Sequence, residues 1–425
     1  MTRPDRAGLL VAFLVTSGVL LGPAVLSQDV FAATLLAGTA KLELIPPAKA
    51  PLAGYSRRSG KPSTGVHDPL FVRALVLGDG QTSVALASCD LLIIDERLFE
   101  AVQQQLDLAQ PNLARNLLIA STHTHSGPGA YGKKFLEKLS MGHFNPDVFE
   151  WLSAQITQAI LTASTNMRPV TVSYATTQTS GFVVNRMSAE GAVDPELVVL
   201  AFYDAHSTLV AAVVNFSAHA TTLGSWNRRF SADYPGVLAQ AVEQRYSGST
   251  CLFFAGAVGD QAPVKQGDGF ERAQWFGSEL AHHVFTGLAS SSDHGAPLVR
   301  IDQRTMRLPP ARLRLGTWRL PSWISRAFVD DDATLTLIGL GRVLVLGVPC
   351  DLSAALGLEL KAHARTLGYA PVLVGFANDY IGYCLPQRLY WTDSYEARLA
   401  FNGPTTGPLL MGELKQMMDE LAGPQ

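Results

Sequence analysis

The stretch Ser121-Thr122-His123-Thr124-His125-Ser126-Gly127-Pro128-Gly129 decides how the whole chain is interpreted. It follows the apolar run Leu117-Leu118-Ile119-Ala120, which predicts a buried strand, and it ends in a glycine–proline turn. Because side chains alternate along a strand, His123 and His125 are expected to share one face and to converge on one metal ion or on a metal and its substrate. The alternative is that two polar residues close a surface turn, since zinc takes three or four ligands and this run supplies two.

Four further apolar runs end in polar or ionisable residues. They are 208–216 before His219, 250–255 before the small-residue loop 256–263, 343–349 before Cys350 and Asp351, and 372–376 before the segment Asn378 to Tyr383. Small residues let backbone amides approach a ligand closely. Enzymes of the α/β class place their catalytic residues at the ends of strands, so we expect the ends of the five runs to lie together at one edge of the fold.

Spaced apolar positions predict helices between these strands. The predicted helices are Asp95–Leu106, Pro146–Thr165, Tyr234–Tyr246, Gly269–Leu288, Leu352–Leu367 and Pro408–Leu421. The sequence therefore predicts an α/β fold in which residues 34–425 form a single domain of mixed β-sheets covered by helices, with a metal site at converging strand ends. The stretch Pro309–Pro321 interrupts this pattern and predicts an exposed loop or flap, either solvated or in contact with a lipid headgroup.

The composition fits a large globular enzyme. The chain has 425 residues, of which 47% are hydrophobic and 16% charged, so it can bury a sizeable core. Its formal net charge is −3 and it has no basic run, which argues against a nucleic-acid partner.

Seven segments of the chain, in order, match motifs of one enzyme family. They are GVHDPLFVRA at 65–74, STHTHSGPGAYG at 121–132, VVNRMS at 183–188, NFSAHATT at 215–222, GAVGDQAP at 256–263, LGVPCD at 346–351, and NDYIGY with YEA between 378 and 397. With them the chain resembles the catalytic domain of the neutral/alkaline, non-lysosomal ceramidases, zinc amidases that cleave the N-acyl bond of ceramide. The resemblance implies a hydrolase of an N-acyl amide with a lipid or other small-molecule substrate. Because few residues follow YEA, we expect the sequence to lack the family's C-terminal immunoglobulin-like domain.

The resemblance also implies the ligands of a zinc ion. They are His123, His219 and Tyr383, with Asp351 where the family usually has a glutamate. Imidazole, carboxylate and phenolate groups all bind zinc. Aspartate is shorter by a methylene group, so Asp351 must lie closer to the ion or bind it through one oxygen.

Three other residues match those that surround the scissile amide in the family. The resemblance implies that His125, Arg186 and Tyr395 donate protons or stabilise the developing oxyanion.

At Ala262 the chain departs from the family. In ceramidases this loop reads approximately GDVSPN, and its serine lies beside the zinc and is held essential for hydrolysis, whereas here it reads GDQAPV. The resemblance leaves zinc-bound water as the nucleophile, because Zn²⁺ lowers the pKa of its water to about 7, with Asp260 or His125 to accept the proton. The alternative is a non-catalytic, metal-stabilised relative that binds a lipid or another ligand.

Residues 1–33 predict an export signal. Arg3 and Arg6 precede an apolar stretch from Ala7 to Leu26, and small residues beyond it offer cleavage points. If uncleaved, the stretch is long enough to anchor the protein in a membrane. We expect a secreted or periplasmic protein, and a buried core helix is the alternative for this segment.

Two of the four cysteines lie beside implied zinc ligands, Cys350 before Asp351 and Cys384 after Tyr383. A shared site would bring these two cysteines close enough for a disulfide, with Cα atoms within about 7 Å. The alternative is that all four cysteines are small buried apolar residues.

Overall fold

The strands predicted from the apolar runs are present in the computed structural model, which describes residues 34–47, 49–293, 298–315, 318–325 and 328–423. The predicted export signal at residues 1–33 lies outside these ranges. The strands are, in chain order, β1 Leu36–Glu43, β2 Gly65–Val66, β3 Phe71–Gly78, β4 Ser83–Cys89, β5 Leu117–Ser121, β6 Arg168–Pro169, β7 Thr171–Gln178, β8 Val183–Asn185, β9 Glu196–Tyr203, β10 Leu209–Phe216, β11 Arg229–Phe230, β12 Thr250–Ala255, β13 Gln261–Pro263, β14 Ser292–Asp293, β15 Val299–Arg307, β16 Arg314–Leu315, β17 Trp318–Arg319, β18 Asp332–Leu340, β19 Val343–Gly347, β20 Asp351–Leu352, β21 Ala370–Val374 and β22 Tyr383–Cys384.

The helices follow the predicted segments closely. They are α1 Glu96–Asp107, α2 Pro111–Arg115, α3 Phe135–Met141, α4 Pro146–Thr165, α5 Asp233–Arg245, α6 Gly269–Ser290, α7 Ser322–Ser325, α8 Ala354–Thr366, α9 Tyr395–Arg398 and α10 Thr406–Ala422, with 3₁₀ turns at Ser56–Arg58 and Gln387–Trp391. Helix α1 begins one residue later than predicted because Asp95 is its N-cap, and its side chain accepts a hydrogen bond from the Leu98 N–H at 3.0 Å.

Each of the three main sheets contains one parallel pair of strands. The strand orders are β5-β4-β3-β1-β6, β12-β10-β9-β7-β14 and β15-β18-β19-β21. The parallel pairs are β4 with β5, β10 with β12, and β19 with β21, while the other pairs within these sheets are antiparallel. Because parallel strands end at the same edge of a sheet, each pair delivers two loops to one place. The predicted α/β class with mixed sheets is confirmed.

The three sheets share one apolar interior, and helices cover their other faces. Buried residues of all three sheets meet in one cluster that includes Leu86, Leu118, Val213, Val345 and Val372. Helix α4 packs on β1 and β3, α5 on β12, α6 on β7 and β9, and α8 on β21. Full burial of such a side chain stabilises the folded state by about 1.5–3 kcal/mol, so the strands that end at the site are anchored in a stable core.

Two buried asparagines join the sheets near the ends of these strands. Asn215 on β10 donates from Nδ2 to carbonyl oxygens on β12 and β21, at 2.9 and 2.7 Å. Asn378, just after β21, donates to Leu117 O at 3.0 Å and accepts from the Ile119 N–H at 2.8 Å, so it pairs with the backbone of β5. These bonds fix the loop after β21 relative to the strand that precedes His123.

The stretch predicted as a flap makes non-covalent contacts with the rest of the protein. It contains the hairpin β16–β17, and Arg314 donates from Nη2 to Tyr390 O at 2.9 Å while its guanidinium lies 4.2 Å from the centre of the Tyr390 ring. Within the described ranges, no helix is both long enough and apolar enough to span a bilayer.

Candidate metal centre

The first two histidines follow the end of β5 and meet through their rings. The Nε2 atoms of His123 and His125 are 3.2 Å apart, and the rings make an edge contact. The convergence predicted from the sequence is present, but strand alternation does not cause it. Strand β5 ends at Ser121, and His123 has a φ of 60°, in the left-handed region. A non-glycine residue adopts this conformation only where its surroundings hold it.

His219, after the end of β10, completes a cluster of three histidines. One ring nitrogen from each histidine lies within 4.8 Å of the other two. His123 donates from Nδ1 to Leu92 O at 2.7 Å, and His219 donates from Nδ1 to Val258 O at 2.6 Å. These bonds select the tautomer in which Nε2 carries the electron pair that a metal requires. In His125, by contrast, the buried Nδ1 has no hydrogen-bond partner.

Asp351, just after β19, brings a carboxylate to the same cluster. Its Oδ1 is 3.3 Å from His219 Nε2 and 3.7 Å from His123 Nε2. That oxygen is buried and has no hydrogen-bond partner, an arrangement that is costly unless a cation is nearby. Two ligand atoms bound to one tetrahedral zinc at 2.0–2.1 Å lie about 3.4 Å apart, so the separations here fit that ion.

The electrostatics of the cluster favour neutral imidazoles. Burial lowers the pKa of His123 to about 3, although the neighbouring Asp351 opposes that shift. Burial also holds the pKa values of His125 and His219 well below the usual value, and the charge of Arg186 acts in the same direction. Neutral imidazoles are the form that binds metals, so the cluster is suited to a cation near neutral pH.

Arg186, which follows β8, lies beside this cluster and is held from three directions. It donates from Nη2 to Tyr383 Oη at 2.9 Å and to Gly259 O at 2.8 Å, and its Nε pairs with Glu396 Oε1 at 2.7 Å. Burial and the charge of Asp351 raise the pKa of Tyr383 well above its usual value. Tyr383 therefore presents a phenol hydroxyl between Asp351 and a fixed positive charge.

Tyr395 forms the solvent side of the site. Its ring centre is 5.9 Å from that of Tyr383, and the residue is 62% exposed. A groove of about 540 Å³ opens nearby, lined by residues 183–189 and Val193, which include Arg186. Arg186 therefore belongs both to this groove and to the surroundings of the cluster.

Comparisons with known proteins identify the family and the fold. The family model described as neutral/alkaline non-lysosomal ceramidase, N-terminal, matches residues 38–270, more than half of the chain. The chain belongs to the neutral/alkaline non-lysosomal ceramidase family. It is 25% identical over 395 residues to the neutral ceramidase of Pseudomonas aeruginosa, and 25% identical over 448 residues to that of Mycobacterium tuberculosis.

The similarity covers most of this chain but a smaller part of its relatives. The alignments include 88% of the chain and 58% of the Pseudomonas protein, and 81% of the chain and 70% of the Mycobacterium protein. The crystal structure of neutral ceramidase from Pseudomonas aeruginosa superposes with a TM-score of 0.81 at 20% sequence identity, over 92% of this chain and 75% of that one. The fold is therefore that of a neutral ceramidase.

Within this ceramidase fold, Ala262 lies on the short strand β13. It pairs with Val184 of β8 and is half-buried, in the loop that also holds Asp260 and Gln261. A methyl group thus stands at the position where the family pattern places a serine.

The Asp260 carboxylate is engaged in hydrogen bonds. It accepts from Asn185 Nδ2 at 2.9 Å, from Gln261 Nε2 at 3.0 Å and from the Ala354 N–H at 2.8 Å. These contacts tie the end of β8 to the start of α8. They hold Arg186 in place, because its backbone N–H donates to Asp260 O at 2.8 Å.

The two cysteines that flank the site lie together. Parallel pairing of β20 with β22 places Cys350 and Cys384 on neighbouring segments. Both are buried, and the structure has them as free thiols. Burial raises the pKa of Cys350 well above its usual value, which keeps that thiol protonated.

Three contacts of the site were not predicted from the sequence. Tyr380 donates from Oη to Asp351 Oδ2 at 2.7 Å, and Phe376 stacks on His123 with ring centres 3.9 Å apart. Glu396 holds Arg186. Tyr380 and Glu396 lie inside the motifs NDYIGY and YEA, so their place in those motifs was the available signal, but their partners depend on the fold.

Proposed function

We propose that this protein is a zinc-dependent hydrolase of an N-acyl amide bond, and that its substrate is a lipid such as ceramide. Membership of the ceramidase family supports the reaction class. The observation that carries the proposal is the meeting of His123, His219 and Asp351 around one point, with the Arg186–Tyr383 pair beside it. We propose His123, His219, Asp351 and Tyr383 as the zinc ligands.

The ion and the residues around it would have different roles. When bound, zinc would act as a Lewis acid and lower the pKa of a water molecule to about 7, which would provide a nucleophile in place of the serine that Ala262 replaces. His125, whose ring lies against that of His123, would accept a proton from the water through its imidazole. Arg186 holds a positive charge where the carbonyl oxygen becomes negative.

The leaving group needs a proton as well. Hydrolysis joins a water oxygen to the carbonyl carbon, breaks the C–N bond and transfers a proton to the amine nitrogen. The proton that His125 takes from the water would pass to the amine nitrogen, and Tyr395, whose ring centre is 5.9 Å from that of Tyr383, would orient the departing amine. The hydrogen bonds made by Asp260 support a role in positioning Arg186.

We further propose that the protein acts outside the cytoplasm. The basic residues and apolar stretch at 1–33 support export, and this segment would attach the protein to a membrane if it is not cleaved. Fractionation with N-terminal sequencing tests this, and intact cytosolic protein beginning at Met1 would refute it.

One observation favours a second candidate function. Alanine at position 262 is compatible with a metal-stabilised relative that binds a lipid and does not cleave it. The ion pair that holds Arg186 favours hydrolysis, because a structural zinc site does not need a fixed arginine beside it.

The deciding experiment measures amide cleavage by the purified chain. Ceramide and simpler N-acyl amines are offered before and after zinc removal by a chelator, and again after zinc is restored. We expect cleavage that is lost on chelation and recovered with zinc. Binding without cleavage would support the second candidate, and chelator-insensitive cleavage would contradict both.

Arg365→Ala is a matched control for variants of Arg186. Arg365 also pairs with a glutamate, Glu196, at 2.6 Å, but it lies at the end of α8 outside the site. Its loss tests whether removing any paired arginine lowers activity.

A further inference from the structure

The two oxygens of Asp351 have different surroundings. Oδ2 accepts a hydrogen bond from Tyr380 Oη at 2.7 Å. Oδ1 is buried without a partner and faces the Nε2 atoms of His219 and His123, at 3.3 and 3.7 Å. One oxygen is therefore occupied by a hydrogen bond, and the other is left for a cation.

Tyr380 is itself fixed by contacts on the same loop. Its backbone N–H donates to Asp379 Oδ1 at 2.6 Å, and its ring centre is 6.1 Å from that of Phe376. Phe376 is fully buried, has a φ of 56°, and stacks on His123 with an interplanar angle of 5°. The loop thus touches two of the proposed ligands, His123 through Phe376 and Asp351 through Tyr380.

Backbone bonds fix this loop against the segment that carries Asp351. The Ile381 N–H donates to Pro349 O at 2.9 Å, and the Asp351 N–H donates to Gly382 O at 3.0 Å. The distance between the Tyr380 hydroxyl and the Asp351 carboxylate is therefore set by the backbone and cannot relax freely.

We propose that Tyr380 is a positioning residue of the metal centre, which holds Oδ2 of Asp351 so that Oδ1 alone is offered to the ion. The terminal torsion of an aspartate is broad, so nothing within the side chain itself selects one oxygen. A hydrogen bond from a fixed hydroxyl makes that selection. This inference rests on the proposed zinc site and adds to it a residue that touches the ligand and not the ion.

The test measures zinc affinity in the full chain by competition with a chromophoric chelator. Tyr380→Phe removes one hydroxyl and keeps the ring, and we expect zinc binding to weaken by roughly 10- to 100-fold, the usual cost of losing a group that orients a ligand. A purely structural role would lower the melting temperature of the zinc-free protein and leave the zinc affinity unchanged.

Thr157→Val is the matched control. Thr157 is buried on α4, which packs against α1, β1 and β3, and its hydroxyl donates to Ser153 O at 2.8 Å, so its variant keeps the shape of the side chain and loses a buried hydroxyl hydrogen bond that does not involve the cluster. We expect it to lose stability and to keep the zinc affinity of the wild type.

A double-mutant cycle separates the coupling of Tyr380 to Asp351 from a general loss of stability in Tyr380→Phe. Asp351→Glu moves the carboxylate by a methylene away from the position that Tyr380 serves, so adding Tyr380→Phe to it should change zinc affinity by about threefold or less, which measures the coupling of the two side chains. The Co²⁺-loaded protein gives a spectroscopic check, because a carboxylate that binds through both oxygens raises the coordination number. We expect this spectral change in Tyr380→Phe and not in Thr157→Val.

The outcomes separate the two proposals. Unchanged zinc affinity in Tyr380→Phe, with a wild type that binds zinc, would overturn the positioning role and leave the proposed function intact. A wild type that binds no zinc would overturn the proposed function itself.

Discussion

The buried floor of the site and its exposed rim are held by different means. On the floor, His123, His219 and Asp351 follow strands of three different sheets and are at most 3% exposed. On the rim, Arg186 and Tyr395 lie at the short elements β8 and α9. Backbone hydrogen bonds and strand ends fix the floor, whereas an ion pair to Glu396 fixes Arg186. Because the two sets of residues are held by different contacts, we expect mutations to affect metal binding and turnover separately.

The largest effect should come from the floor. His123→Ala and His219→Ala each remove an imidazole whose Nδ1–H is fixed on a backbone carbonyl, so we expect zinc affinity to fall by more than the roughly 10- to 100-fold typical of an orienting group. His125→Ala should keep its zinc, because His125 Nδ1 has no such partner. Metal analysis after dialysis measures all three, and zinc loss only in His125→Ala would reverse the assignment of ligand and proton acceptor.

The floor was easier to predict than the contacts that connect it to the rim. Apolar runs report burial, and a run followed by a histidine or aspartate marks a strand end, so His123, His219 and Asp351 could be placed near strand ends from the sequence. Their assignment as zinc ligands came from the resemblance to the ceramidases. Periodicity does not report which strands pair or how separate loops approach each other. The bond between Tyr380 and Asp351 depends on a loop with a left-handed Phe376, a conformation that the sequence gives no reason to expect.

Long helices were predicted well for the same reason. The predicted segment Pro146–Thr165 coincides with α4, because it carries a buried stripe and begins with Asn145 as N-cap followed by proline. Asp260 shows the limit of this approach. Its place in GAVGDQAP suggested chemistry, but its carboxylate accepts hydrogen bonds from Asn185, Gln261 and Ala354, and these partners come together only in the folded chain.

The rim should affect turnover without affecting the metal. Arg186→Ala removes the charge that faces the developing oxyanion, and we expect kcat to fall by about 10²- to 10³-fold with zinc content unchanged. Arg186→Lys should recover little, because a single ammonium group cannot reproduce the contacts with Tyr383, Gly259 and Glu396. Loss of zinc in Arg186→Ala would show that rim and floor are one unit.

A smaller effect is expected on the pH dependence of the stability of the zinc-free protein, to which the buried His123 contributes. Unfolded His123 takes up a proton near pH 6.5, whereas in the folded chain its pKa is about 3, so acid favours unfolding. This contribution is fully present above pH 6.5, and about 2 kcal/mol of it is lost between pH 7 and pH 5. Denaturant titrations at several pH values give the unfolding free energy as a function of pH, and His123→Gln should lack this contribution. Carboxyl groups that titrate in the same range affect both proteins, so their contribution cancels when the variant is subtracted from the wild type. If the unfolding free energies of the wild type and His123→Gln change with pH in the same way, His123 is not buried as a neutral ring.

The smallest effect is expected at Ala262, which lies between floor and rim. If water is the nucleophile, Ala262→Ser adds a hydroxyl that the reaction does not need, and kcat should stay within about threefold of the wild type, a change of less than 1 kcal/mol. If the chain is instead a ceramidase disabled by loss of its serine, the same variant should create amide cleavage in a protein that had none, because Arg186 and His125 are already in place. The assay with and without chelator distinguishes these results, and the combined variant with His123→Ala provides the control for metal-independent cleavage. We expect the first result, because Glu396 holds Arg186 at 2.7 Å beside the cluster, where its charge would stabilise the oxyanion formed by attack of water.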